Sequence, residues 1–150
     1  MLLRSYEGVT VPHLPPRLRE IVEEFKDSDR DEKLELLLEY ADRMPPLPES
    51  LQNHQHMEQV HECMSPVFVY AEREGVGLRF HFDVPEEAPT TRGYASLLAE
   101  GLRGCTPAQV AAVSSDFIQE MGLHRVLSPQ RLNGISAILA YMKRQALRLG

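Results

Sequence analysis

The chain has 150 residues, 43% of them hydrophobic, which suffices for one domain with a single buried core, so the expected organisation is one domain over 1–150. Asp and Glu total 22 against 16 Lys and Arg, a net charge of −6, which lacks the basic footprint that a nucleic acid or an anionic membrane surface requires. No run of about 18 apolar residues occurs and residues 1–16 hold no continuous apolar stretch, so neither a membrane span nor a secretory signal is expected and the protein is predicted to be cytoplasmic.

Residues 1–16, with Pro12, Pro15 and Pro16, read as an extended lead-in. Leu18, Ile21, Val22 and Phe25 then fall at i, i+3, i+4 and i+7, the apolar stripe of a short helix. Asp29 and Glu32 have the spacing of a capping box, and Leu34, Leu37, Leu38, Ala41 and Met44 supply the face of a second helix. That helix must stop at Pro45-Pro46-Leu47-Pro48, because proline lacks an N–H and restricts the residue before it. From Glu49 to Glu62 the chain is polar, without clear periodicity, and is expected to be mostly exposed loop.

Val67 to Ala71 is short, β-branched and aromatic, while Leu78, Phe80 and Phe82 alternate with Arg79 and His81. Joined across Gly75 and Gly77, the two segments predict a hairpin with one buried face. Beyond it the chain reads helical. Thr90 or Thr91 is the expected cap before Tyr94, Leu97 and Leu98, with Gly101 and Gly104 at the exit. Thr106-Pro107-Ala108-Gln109 is a capping box with proline at its first helical position. Ser128-Pro129 starts a last helix with Leu132, Ile135, Leu139 and Met142 on its apolar face. Gly134 inside that helix costs about 1 kcal/mol relative to Ala, and close helix packing is its expected reason. The order helix, helix, hairpin, helices predicts an α+β fold, a small antiparallel sheet packed against several helices.

Two cysteines, Cys63 and Cys105, are too few for a disulfide-stapled scaffold or a four-cysteine metal site, and in a reducing compartment both are free thiols. Either can serve as a small buried hydrophobe or as a nucleophile. Cys63 sits where the polar loop meets the first strand, within reach of a visiting protein. His61, if protonated, favours its thiolate, and Glu62 opposes it. Cys105 precedes the Thr106 cap, so a helix N-terminus is the feature that would activate it. His54, His56, His61 and Cys63 place four nitrogen and sulfur donors within ten residues, of types zinc accepts but not at the spacing of a common finger; solvated loop histidines are the alternative.

Glu62-Cys63-Met64-Ser65-Pro66-Val67-Phe68 resembles the Gly-Cys-x-Ser-x-Val-aromatic motif of SufE-type sulfur acceptors. The likeness continues in order through the proline-rich helix stop at residues 44–48, an acidic stretch (Asp83, Glu86, Glu87) before Arg92-Gly93, the Thr106-Pro107 helix start, and Leu127-Ser128-Pro129-Gln130-Arg131-Leu132-Asn133-Gly134. It departs at Glu62, where Gly is usual, at Met64, where a polar residue is usual, and at Pro66.

The resemblance implies a SufE/NifU-like fold and a chain that needs no cofactor of its own. It implies that Cys63 accepts persulfide sulfur from a SufS-like, pyridoxal-phosphate-dependent cysteine desulfurase, raises that enzyme's turnover, and delivers sulfur to an iron–sulfur scaffold protein. His61, Ser65, Glu87 and Arg131 are the residues it points to for partner contact; for Arg131 a structural ion pair with Asp83, Glu86 or Glu87 is the competing expectation, and for Glu87 a solvated acidic loop. Two other functions stay open at this point: a metal or iron–sulfur scaffold built on His54, His56, His61 and Cys63, and a non-catalytic adaptor that only docks onto a desulfurase.

Overall fold

A computed structural model describes residues 14–150. The fold is α+β, a three-stranded antiparallel sheet covered by helices. Of the predicted lead-in, residues 1–13 lie outside the described part, and Pro16 already belongs to a helix.

Helix α1 (Pro16–Lys26) begins with proline at its first position and buries Leu18, Ile21, Val22 and Phe25, the predicted stripe. Helix α2 (Arg30–Asp42) starts on the predicted capping box: the Glu32 N–H donates to Asp29 Oδ1 at 2.9 Å and the Asp29 N–H to Glu32 Oε1 at 2.7 Å. Its buried face differs from the expected one. Lys33, Leu37, Tyr40 and Ala41 point inward, and Leu38 is left 45% exposed. The cause is polar: Lys33 Nζ donates to the carbonyls of Phe25 and Ser28, each at 2.6 Å, and so closes the C-terminus of α1. A lysine with that role turns the helix away from the face its leucines alone would choose.

The segment expected to be loop holds more structure than its polarity suggests. A 3-10 turn (Glu49–Leu51) and a two-residue strand β1 (Glu58–Gln59) lie in it, with Leu51 and Val60 buried. β1 pairs antiparallel with β2 (Phe68–Glu74), and β2 pairs with β3 (Gly77–Asp83), in the order β1-β2-β3. Gly75, at φ 65°, makes the tight β2–β3 turn. Val69 opposite Phe82 and Ala71 opposite Phe80 give the sheet its core face. The other face is partly covered too, since His81 is only 8% exposed and bonds Glu72 Oε1 at 2.8 Å.

Helix α3 (Pro89–Leu102) starts one residue before the expected threonine caps. Ala88 is its N-cap, and Pro89, with φ preset, takes the first helical position and puts Thr90 and Thr91 inside. The Thr106 capping box opens a short helix α4 (Pro107–Ala111), and α5 (Phe117–Glu120) and a 3-10 turn (Leu123–Arg125) follow. Ser128 caps the long α6 (Pro129–Leu149), its side chain accepting from the Arg131 N–H at 3.2 Å. α6 lies against the sheet on β2, α3 packs on α2 and β3, and one contiguous apolar cluster runs between them.

Candidate functional site

The turn from β1 to β2 is a loop, residues 61–66, with a closed neck: the Val60 N–H donates to the Val67 carbonyl at 2.8 Å. Inside the neck the Cys63 N–H donates to the Val60 carbonyl at 3.2 Å, a turn that points the thiol at α6. Pro66 sits at the strand entrance, where its missing N–H removes nothing from the ladder.

The thiol meets a gap in α6. Cys63 Sγ lies 3.6 Å from the Gly134 carbonyl oxygen, and a Cβ on Gly134 would stand 3.3 Å from Sγ and 3.6 Å from the Cys63 Cα. The expected helix packing at this glycine is therefore replaced by packing against the cysteine loop: a Cβ here would require the thiol to give by a few tenths of an ångström, and a larger side chain by more. Two turns along the same face, the Tyr141 hydroxyl donates to Glu62 Oε1 at 3.0 Å, and the Arg144 guanidinium stacks 4.3 Å from the centre of the Tyr141 ring. Arg148 and Gln145 of α6 hold Glu58 of β1 at 3.2 and 3.0 Å, fixing the base of the loop.

Cys63 is half-buried, and burial, with the Glu62 carboxylate second, pushes its thiol up to about 11. In this closed arrangement the sulfur is a neutral thiol at pH 7. Its neighbours in sequence face water: His61, Glu62 and Pro66 are exposed, and Met64 is 76% exposed. Ser65 is half-buried on the return limb.

The other predicted residues distribute unevenly. Arg131 lies one turn before Gly134 and is exposed, its guanidinium donating to Thr90 Oγ1 at 3.1 Å. Among the described residues it makes no ion pair with Asp83, Glu86 or Glu87, so the structural pairing considered for it does not form. Asp83 instead holds His54 Nε2 at 2.6 Å. Glu87 is exposed just ahead of α3, three residues before the Thr90 that Arg131 reaches. His54 is committed to Asp83 and stacks on Phe68 at 3.8 Å between ring centres, while His56 and His61 are exposed. Among the described residues no three His, Cys, Asp or Glu side chains converge as a metal would need.

Cys105 is 8% exposed, with its N–H on the Leu102 carbonyl and its carbonyl taking the Leu78 N–H. Burial raises its thiol pKa, opposite to the lowering a helix N-terminus would produce. Tyr141 and Gly134 are the site residues that sequence reasoning did not place. Their seven-residue spacing on one helix face was the available signal, with no local cue to what lay opposite.

Comparison with known proteins gives this thiol loop its context. Residues 19–146 match the family described as SufE, Fe-S metabolism associated domain. The chain belongs to the SufE family. A SufE-like protein of Mycobacterium tuberculosis is 46% identical over 133 residues, spanning 88% of this chain and 92% of that protein. The cysteine desulfuration protein SufE of Plasmodium vivax is 30% identical over 136 residues, spanning 87% of this chain and 53% of that one. The solution structure of a Thermus thermophilus protein superposes with a TM-score of 0.81 at 39% identity, covering 91% of this chain and 97% of that one. SufE membership assigns the chain to Fe-S metabolism, and no helix of its described residues is long and apolar enough to cross a membrane.

Proposed function

We propose that this SufE-family chain is a sulfur carrier whose Cys63 takes persulfide sulfur from a cysteine desulfurase in a reducing, cytoplasmic setting and hands it on for iron–sulfur cluster assembly. The observation that carries the reading is a half-buried thiol on a six-residue loop, docked into a gap left by a glycine and held outside it by one tyrosine–carboxylate hydrogen bond. The name of the Plasmodium relative, a cysteine desulfuration protein, supports the same chemistry.

The step conserves atoms and electrons. With the loop lifted away from α6, Cys63 regains an ordinary thiol pKa of about 8.5 and supplies thiolate. That thiolate attacks the outer sulfur of the desulfurase's cysteine persulfide; the S–S bond there breaks, its electron pair leaves on the desulfurase sulfur, and a new S–S bond forms at Cys63. The proton given up by Cys63 returns to the departing thiolate. The pyridoxal phosphate belongs to the desulfurase, and this chain's part is to present a nucleophile, clear the enzyme's active site and so raise its turnover.

A scaffold protein that engages the lifted loop then collects the sulfur from the Cys63 persulfide. Exposed His61, Met64 and Arg131 border the loop and are the surface through which a desulfurase would engage, with Ser65 and Glu87 at its margins.

The test is direct. The chain is incubated with a cysteine desulfurase and labelled cysteine, and the added sulfur is located by peptide mass spectrometry. One sulfur mass is expected on the Cys63 peptide, and desulfurase stimulation is expected to vanish in Cys63→Ala and persist in Cys105→Ala. Stimulation that survives in Cys63→Ala would make the chain a docking adaptor instead.

A further inference from the structure

β3 is the outer strand of the sheet, and its register fixes which backbone groups turn outward. All of β3 lies opposite β2, but the Leu78 N–H and C=O bond outward to Cys105 and Gly104, so by antiparallel alternation Phe80 and Phe82 also present their N–H and C=O groups to the free edge. Leu78 is satisfied there by the Cys105 carbonyl and the Gly104 N–H, each at 2.8 Å. Among the described residues nothing pairs with the outward groups of Phe80 and Phe82. They border a cavity of about 190 Å³ between β3, α3 and residues 44–48. Its far wall is largely Pro45, Pro46 and Pro48, which have no N–H to offer the strand.

The cavity has a polar floor and a charged rim. Ser96 lines it, is 4% exposed, and its hydroxyl has no hydrogen-bond partner among the described residues. Three lining guanidiniums, Arg43, Arg79 and Arg103, stand against one lining carboxylate, Glu100, in a chain whose net charge is −6. Glu100 is held by Arg43 at 2.7 Å, and Arg103 and Arg79 reach Glu74 at 3.1 and 4.0 Å from outside the cavity.

We propose that this slot receives an extended acidic peptide segment of a partner protein as a fourth strand, paired to Phe80 and Phe82 with its carboxylates among the rim arginines. Donors and acceptors that recur every second residue, about 7 Å apart, are matched by another strand, whereas a small anion would meet the N–H groups and leave the carbonyls unpaired. The proline wall leaves space for one chain rather than the sheet edge of a second copy. The excess of guanidinium over carboxylate selects an acidic strand.

The test selects phage-displayed random heptapeptides on the full chain and titrates the best synthetic peptide into isotopically labelled protein. Asp or Glu alternating with β-branched residues should be enriched, and the Phe80 and Phe82 amide resonances should shift. Affinity should fall at least tenfold in Arg103→Glu and in the cavity-filling Ala99→Leu, fall likewise when alternate peptide nitrogens are methylated, and stay unchanged in Cys63→Ala. Absence of acidic enrichment, or shifts confined to residues 61–66, overturns the proposal. Binding seen only after residues 1–13 are removed also overturns it, by assigning the slot to the chain's own N-terminal segment.

Discussion

The two cysteines are both sheltered, yet by different kinds of cover. Cys105 is enclosed by secondary structure: its backbone joins the end of α3 to the edge of β3, so exposing its sulfur means separating a helix from the sheet. Cys63 is covered by a loop on a closed neck, and its side of the helix is a glycine rather than a side chain. Uncovering it costs one hydroxyl–carboxylate hydrogen bond, a weak S–H contact and a small apolar area, while the Val60–Val67 neck and the core stay intact. Burial fraction alone does not separate an inert thiol from a reactive one; the free energy of removing the cover does.

The sharpest way to expose that difference is pH. The closed loop raises the Cys63 pKa, so it favours the neutral form: its contribution to holding the loop down is full below the ordinary thiol pKa of about 8.5 and is lost as pH rises through about 11. Alkylation of Cys63 by iodoacetamide should therefore keep climbing, by up to about tenfold per pH unit, beyond the point where a free thiol levels off. A curve that levels near pH 8.5 would mean the loop is open most of the time. Next in size is Gly134→Val. Valine is no worse than glycine for the helix, but its added carbons occupy the space 3.3 Å from the sulfur, so the loop should sit off α6. Cys63 alkylation at pH 7 should rise more than tenfold and level off at lower pH, with Cys105 unchanged. Equal acceleration at both thiols would show that the variant loosens the whole fold.

What the sequence disclosed and what it withheld divide along the same line. The α1 stripe, the Asp29, Thr106 and Ser128 caps and the two long strands rest on residues a few positions apart, and each was readable from spacing. β1 was not, because two polar residues show no alternation and owe their strand to β2 and to Glu58's bonds with α6. The face of α2 departs from its leucine pattern because Lys33, polar by type, is buried by carbonyls of Phe25 in α1 and Ser28 just beyond it. Cys63 itself was found through its local motif. Its cover was not, since Gly134 and Tyr141 lie 71 and 79 residues from the residues they meet, and no pattern in either segment announces the other. Arg131 stands in the first turn of α6, where its charge opposes the helix macrodipole, and what it reaches is a neutral threonine.

Tyr141→Phe sharpens the comparison by removing one atom. The ring and its stacking with Arg144 remain, and only the hydrogen bond to Glu62 is lost. A bond of this kind is worth about 0.5–1.5 kcal/mol, so the open population and the alkylation rate of Cys63 should rise about two- to twelvefold at pH 7. Both of the bond's groups can find water once the loop lifts, so a change larger than that range would mean the tyrosine orders more of the chain than the loop.

The smallest effect is expected from Glu62→Gln, which separates charge from attachment. The glutamine carbonyl still accepts from the Tyr141 hydroxyl, so the loop stays closed, but the negative charge beside the thiol is gone. Burial is the larger cause of the raised Cys63 pKa and the Glu62 carboxylate the smaller, so the alkylation profile should move to slightly lower pH and still level off above that of a free thiol. Its rate at pH 7 should exceed the parent's by less than Tyr141→Phe does. If Glu62→Gln instead outpaces Tyr141→Phe, the carboxylate rather than the docked loop is what keeps this thiol quiet, and the contrast with Cys105 rests on one charge instead of on the way the cover is built.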